Sequence, residues 1–199
     1  MPRLAPLPMD ELGELAPMLE GMFAQTGYEM NSLKILSRKP AIVQGLMAFV
    51  GAVMAPGAIS PDLKNMVSQI VSKAAGCGYC MAHTGHAAEG AGIPADKESA
   101  LWEYETSDLF TDAERAALRV AQGAGQAPNA VTDEDFDALK QHFSEDEIIE
   151  IVAVIGMFGF FNRFNDTMAT ELENSPLRFA TETLQPKGWA LGKHGGKHG

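Results

Sequence analysis

Cys77 and Cys80 are the only cysteines in the chain, and His83, Thr84 and His86 follow them in the run Ala74-Ala75-Gly76-Cys77-Gly78-Tyr79-Cys80-Met81-Ala82-His83-Thr84-Gly85-His86. Thiols at this spacing can exchange with a disulfide, bind metal, or simply be buried. Gly76 is a natural helix stop, so both cysteines are expected in the first turn of the next helix. Unpaired N–H groups and the helix dipole there favour a thiolate and lower its pKa. Three apart on a helix, the two side chains face nearly the same way and can close a disulfide. His83, three beyond Cys80, can accept a thiol proton. Thr84 is four beyond Cys80 and projects over both sulfurs. His86 turns off this face by about 60° at 100° per residue, into an outer or exposed position.

Metal chemistry fits less well. On one helix, Cys77, Cys80, His83 and His86 span about 13.5 Å of rise, too long to close one tetrahedron. Two or three of them could still join a donor from elsewhere. Haem attachment needs His directly after the second cysteine, and Met81 stands there. No cofactor and no metal is therefore expected. Two inert buried cysteines are the bland alternative, and the spacing at a helix start argues against it.

The elements that must position these residues read as helices. Ser60-Pro61 is an N-cap with proline at the first helical position, opening a helix whose apolar face is Leu63, Met66, Val67, Ile70, Val71 and Ala74. The cysteine helix is expected to run to about Gly90, broken by Gly90 and Gly92. Ile93-Pro94 starts a short helix reaching Tyr104. Thr111-x-x-Glu114 and Ser144-x-x-Glu147 are capping boxes, and Thr132 caps a helix between them. The helix after Ser144 is expected over 145–173, covered on most sides, with Phe158, Phe160, Phe161 and Phe164 in the core. Stretches 11–25 and 41–53 are also expected as helices. No alternating run bounded by turn residues marks a sheet. The class is all-α, an antiparallel helical bundle in one domain over 1–186, followed by a mobile Gly/Lys/His tail over 187–199 that includes His194 and His198. Asn65, Cys77 and Cys80 share their spacing with Glu150, Asn162 and Asn165, and Tyr79 then matches Phe164, which suggests a duplicated helix pair.

Composition sets the outer limits. The chain has 199 residues, 46% hydrophobic and 21% charged, with 15 basic and 26 acidic side chains and a formal net charge of −11. Such acidity repels phosphate backbones and anionic lipid surfaces, so neither nucleic acid nor membrane is an expected partner. Two cysteines exclude a disulfide-stapled scaffold. The proline-broken N-terminus lacks a continuous apolar signal-peptide core. The most apolar run, 148–161, is shorter than the roughly 18–20 residues of a bilayer span and contains Glu150. The expected location is cytoplasmic.

GCGYC followed by AHT after the SPDLKNMV helix, with FTDAERAAL and FSEDEIIEIVAVIGMFGFFNRFND downstream, resembles the alkyl hydroperoxidase D-like and carboxymuconolactone decarboxylase superfamily, in its peroxidase-related branch. The resemblance covers about 42–172. It implies an all-α, usually homo-oligomeric protein that reduces organic hydroperoxides, with regeneration by a dithiol or protein reductant. It also implies that Cys80 attacks the peroxide and becomes a sulfenic acid, and that Cys77 protonates the leaving group and then condenses to the disulfide. Two positions depart from the pattern. Asn65 replaces a glutamate twelve residues before the first cysteine, and Thr84 replaces a histidine four after the second. Either His83 supplies the base from the adjacent position, or Thr84 passes a proton through water. Glu150, the counterpart of Asn65, is a candidate to approach the site across the helix pair. A redox-responsive binding or scaffold protein with little turnover is the alternative, and a decarboxylase ranks below it.

Overall fold

The chain enters helical structure through two tight turns, Met9–Glu11 and Gly13–Leu15, before its first α-helix. The computed structural model describes residues 2–91 and 93–196, without the side chains of Ala91 and Ala95. Gly92 and His198 lie outside the described residues. Ten α-helices and no strand occur among those described: α1 Ala16–Thr26, α2 Asn31–Leu36, α3 Pro40–Met54, α4 Pro61–Ala74, α5 Gly78–Ala91, α6 Ala95–Ala100, α7 Asp112–Ala124, α8 Asp133–Lys140, α9 Glu145–Met168 and α10 Asn174–Phe179. The protein is all-α, as expected.

Local chemistry sets the boundaries. Ser60 Oγ accepts the Leu63 N–H at the start of α4, and Pro61 occupies the first helical position. Thr111 with Glu114 and Ser144 with Glu147 form the two anticipated capping boxes, and Thr132 with Asp135 adds a third. Each satisfies N–H groups that a helix start leaves free, for about 1 kcal/mol. Gly76 ends the α4 corner at φ +70°, a conformation open to glycine without steric cost.

The central helix is α4, which packs against α5, α7 and α9. Its face of Leu63, Met66, Val67, Ile70 and Val71 is at most 6% exposed. Each such side chain contributes about 1.5–3 kcal/mol on burial, an upper bound because unfolded chains already hide some surface. A second cluster gathers Cys77, Tyr79 and Cys80 with Leu172, Phe179, Leu184 and Trp189. A third joins α1 and α2 to Val43 of α3.

Three expectations change. First, α9 stops at Met168, not near 173, because Ala169 turns to φ 49° and the chain leaves the helix axis. Second, Asn162 and Asn165 lie inside this unbroken helix, whereas Cys77 and Cys80 follow a corner, so the repeat is one of spacing and not of a helix pair. As expected, α9 is covered on most sides, with one stripe left open: Ile149 is 70% exposed, and Val152 and Phe160 are also open. Third, the segment expected as a mobile tail is packed over its described part. Trp189 and His194 are buried, Trp189 Nε1 donates to Gly78 O at 2.9 Å, and Leu172 N donates to His194 O at 2.9 Å. Gly and Lys dominate this segment's composition, but one indole and one imidazole are enough to anchor it.

Candidate active site

Cys77 is the residue before α5 and acts as its N-cap. Its Sγ accepts the Cys80 backbone N–H at 3.3 Å, and its carbonyl accepts Met81 N–H at 2.9 Å. The Cys80 thiol lies one turn on. Both thiols are free; Cys77 is fully enclosed and Cys80 is 3% exposed. Burial pushes the Cys80 thiol well up from its ordinary value, and the neighbouring Cys77 adds to this, while the Asn165 amide opposes it. For Cys80 the expectation of a lowered thiol pKa from helix position is thereby corrected, because burial disfavours the thiolate. Asn165 Nδ2 donates to Cys80 Sγ at 3.7 Å. The sequence marks this residue as the spacing counterpart of Cys80 and as part of the polar cluster Asn162, Arg163, Asn165 and Asp166.

Cys80 opens into a cavity of about 220 Å³ between α4, α5 and α9. Met30, Met54, Phe158 and Phe161 give it apolar walls, and Asn65, Ser68 and Asn165 supply uncharged polar groups. Phe158 and Phe161, expected as core, thus face a cavity as well. A larger cavity of about 360 Å³ beside Asn162 and Arg163 holds neither cysteine.

His83 lines the same cavity as Cys80, and no hydrogen bond joins the two among the described residues. Its ring is held on three sides. Nε2 pairs with Glu173 Oε2 at 2.6 Å, Nδ1 lies 3.3 Å from the Tyr28 hydroxyl, and Tyr79 stacks on it at 4.2 Å between ring centroids. Glu173 Oε1 also accepts Asn31 N–H at 2.6 Å and Tyr79 O–H at 2.8 Å. Burial by itself would raise the Glu173 pKa. The His83 bond and charge, with the Asn31 and Tyr79 donors, outweigh that and hold the carboxyl below its usual range. Burial and the Glu173 charge push the Tyr28 hydroxyl up to about 12, so it stays protonated and donates.

Glu173 carries no motif in the sequence. Its segment leaves α9 at Ala169 and returns before α10, and only that path brings it to α5. The other expected residues are more scattered. Thr84 is buried, but its hydroxyl donates to Cys80 O at 2.9 Å and Met81 O at 3.3 Å. It bonds back to its own helix while lining the same cavity as Cys80 and His83. Asn65 lines the cavity. Glu150 does not reach the thiols: its Oε1 pairs with the buried Lys64 Nζ at 2.8 Å, and its Oε2 accepts Ile59 N–H at 2.8 Å. His86, turned off the thiol face, lies 2.9 Å from Ser175 Oγ. No group of three or more His, Cys, Asp or Glu side chains suited to a metal ion occurs among the described residues.

The Carboxymuconolactone decarboxylase family model matches residues 40–123. The uncharacterized protein YnjA of Escherichia coli (strain K12) is 30% identical over 144 residues, covering 71% of this chain and 79% of YnjA. The debrominase Bmp8 is 32% identical with a TM-score of 0.84, covering 90% of this chain and 96% of Bmp8. It has also been solved as a cysteine-to-alanine variant in complex with 2,3,4-tribromopyrrole. A peroxidase-related protein from Silicibacter sp. TM1040 shares the fold at 23% identity, with a TM-score of 0.75 over 84% of this chain and 90% of that one. A family match from α3 into α7, relatives that span most of the chain, and a thiol pair at the start of α5 lead to one assignment: the protein belongs to the carboxymuconolactone decarboxylase family.

Proposed function

We propose that this protein is a thiol-dependent oxidoreductase that reduces small organic hydroperoxides through Cys80 and Cys77. The observation that carries the reading is a single cavity holding the Cys80 sulfur, a donor amide on that sulfur and the His83 ring. The Cys80 thiolate attacks the terminal peroxide oxygen and the O–O bond breaks. The alkoxide takes a proton and leaves as alcohol, and Cys80 becomes a sulfenic acid. The Cys77 thiol then forms the S–S bond and water departs. An external dithiol or protein reductant returns two electrons. Because no bond links His83 to Cys80, the proton travels through bound substrate or a water molecule. No cofactor is needed, and the partners are a hydroperoxide, a reductant and further copies of the chain. No helix among the described residues is long and apolar enough to cross a membrane, and we place the work in the reducing cytoplasm.

A second reading has its own support. Bmp8 is a debrominase, and the same two thiols could deliver the two electrons that replace bromine by hydrogen on an aromatic ring. One experiment separates the readings. Fully reduced protein is mixed with a small excess of tert-butyl hydroperoxide, and in parallel with 2,3,4-tribromopyrrole, while thiols and released bromide are counted. Rapid loss of two thiols with hydroperoxide alone, abolished by Cys80→Ser, supports the peroxidase. Loss only with the pyrrole, matched by bromide, selects the dehalogenase. Thiols that persist in both arms at the rate of free cysteine return the protein to the redox-responsive binding alternative.

A further inference from the structure

We propose that Glu173 is the positioning residue for the acid–base group of this site, fixing which His83 nitrogen carries the proton and stabilising the ring once it is charged. The inference rests on the reading that His83 serves Cys80, and it adds a residue from outside the segment that the family model matches.

Glu173 is 8% exposed, and a buried carboxylate is tolerated only with donors on it. One oxygen accepts a backbone N–H from Asn31 and the hydroxyl of Tyr79, groups that can only donate here. The other oxygen faces His83 Nε2 at 2.6 Å. An ionised carboxylate requires a donor opposite it, so Nε2 carries hydrogen in both protonation states of the ring. The neutral ring then offers Nδ1 as its acceptor, where the Tyr28 hydroxyl donates. When a proton from the Cys80 thiol arrives through substrate or water, the Tyr28 hydroxyl accepts it while passing its own to Nδ1, and the ring becomes an imidazolium paired with Glu173. The reverse transfer later neutralises the departing alkoxide, and His83 returns to its starting tautomer. Glu173 touches neither thiol nor substrate in this sequence and changes no bond itself.

Several groups could shape the pH response. On α5 these are Cys77, Cys80, Tyr79 and His86. Tyr28 approaches from the segment before α2, Asp166 from α9, and Glu173 from the connection to α10. His86 faces Ser175 and Tyr28 instead of the carboxylate.

The test is the pH dependence of Cys80 alkylation by iodoacetamide, a neutral reagent, followed residue by residue by mass spectrometry on the full chain. Glu173→Gln is expected to slow alkylation at pH 7 about tenfold and to raise the midpoint by about one pH unit, leaving the alkaline plateau in place. Glu173→Asp, which keeps the charge but retracts it, should recover part of the shift. A purely structural role would lower thermal stability without moving the midpoint. A folded Glu173→Gln protein with the wild-type midpoint overturns the proposal. If that variant does not fold, an unmoved midpoint in Glu173→Asp overturns it equally. His83→Asn separates the two layers: an unmoved midpoint there removes His83 as the base, and with it this proposal. A moved one beside an unmoved Glu173→Gln removes Glu173 alone. Wild-type protein inert to hydroperoxide, with both midpoints moved, defeats the peroxidase reading and leaves the role of Glu173 standing.

Discussion

A thiol as enclosed as Cys80 ionises reluctantly, so its reactivity depends on what touches the sulfur. Among the described residues the Asn165 amide is the one side-chain donor to it. Hydrogen bonds to charged groups contribute about 1.5 kcal/mol at the low end, which corresponds to roughly tenfold in thiolate population. Asn165→Ala should therefore slow iodoacetamide alkylation of Cys80 at pH 7 about tenfold; an unchanged rate would show that the 3.7 Å contact does not bear on ionisation. Glu98 is a second residue whose surroundings dictate its charge. Among the described residues neither carboxylate oxygen has a hydrogen bond of normal geometry, although the Gln69 amide lies close enough to favour the charged form. Burial, then the charge of Glu89, push its pKa up to about 7, against Lys187 and Gln69. The folded state thus holds a proton that the unfolded chain releases near pH 4.3. Stability falls as pH rises from there to about 7, and the deficit persists above. Glu98→Gln should raise the melting temperature at pH 8 by the equivalent of about 1–2 kcal/mol, after allowance for solvent screening, and do little at pH 4. An equal gain at both values would mean the effect is packing and not charge.

At the scale of elements, the corner after α4 and the break after α9 build the site. The first places Cys77 at a helix start, and the second swings Glu173 back to α5. A different device ties α3, α4 and α9 together. Lys64, 1% exposed, donates to Val53 O at 2.8 Å and Ala55 O at 2.7 Å as well as to Glu150. A Cβ at Gly57 would overlap the Glu150 carboxylate, so the connecting loop passes close over this pair. Removing one partner of a buried pair strands the other charge, at about 3–5 kcal/mol. Glu150→Gln should cost about 3 kcal/mol in urea unfolding while leaving the Cys80 alkylation midpoint where it is. A shifted midpoint would bring Glu150 back into the active site.

At the scale of the molecule, α3 and α9 together turn apolar side chains to solvent: Ile42, Phe49, Ile149, Val152 and Phe160 are each at least 40% exposed. A periodic apolar face of this kind is more than the scattered exposure of a monomer surface. We expect it to join copies of the chain, burying about 800 Å² per partner. Light scattering at micromolar concentration should give a multiple of 21.3 kDa, and Ile149→Lys should shift it toward one chain. A monomeric wild type would remove the oligomer.

Much of this protein is determined locally and can be read from the chain. Capping boxes at Thr111 and Ser144, proline after Ser60 and glycine at 76 act within a few residues, so they mark helix boundaries wherever the helices end up. The cysteine spacing is equally local, since two thiols one turn apart need only their own helix. The partners of those residues depend on distance in space and not in sequence. Asn165 reaches Cys80 across 85 positions and Glu173 reaches His83 across 90, and no short-range pattern records either. The Thr84 hydroxyl donates to a carbonyl one turn away, a choice of acceptor that spacing alone leaves open. Glu150 went to Lys64, because only the packing of α4 on α9 shows which buried cation needs a carboxylate. Local sequence thus determined the all-α class and the thiol pair. The tertiary structure decided what surrounds that pair, because burial and long-range hydrogen bonds set the charge of each group.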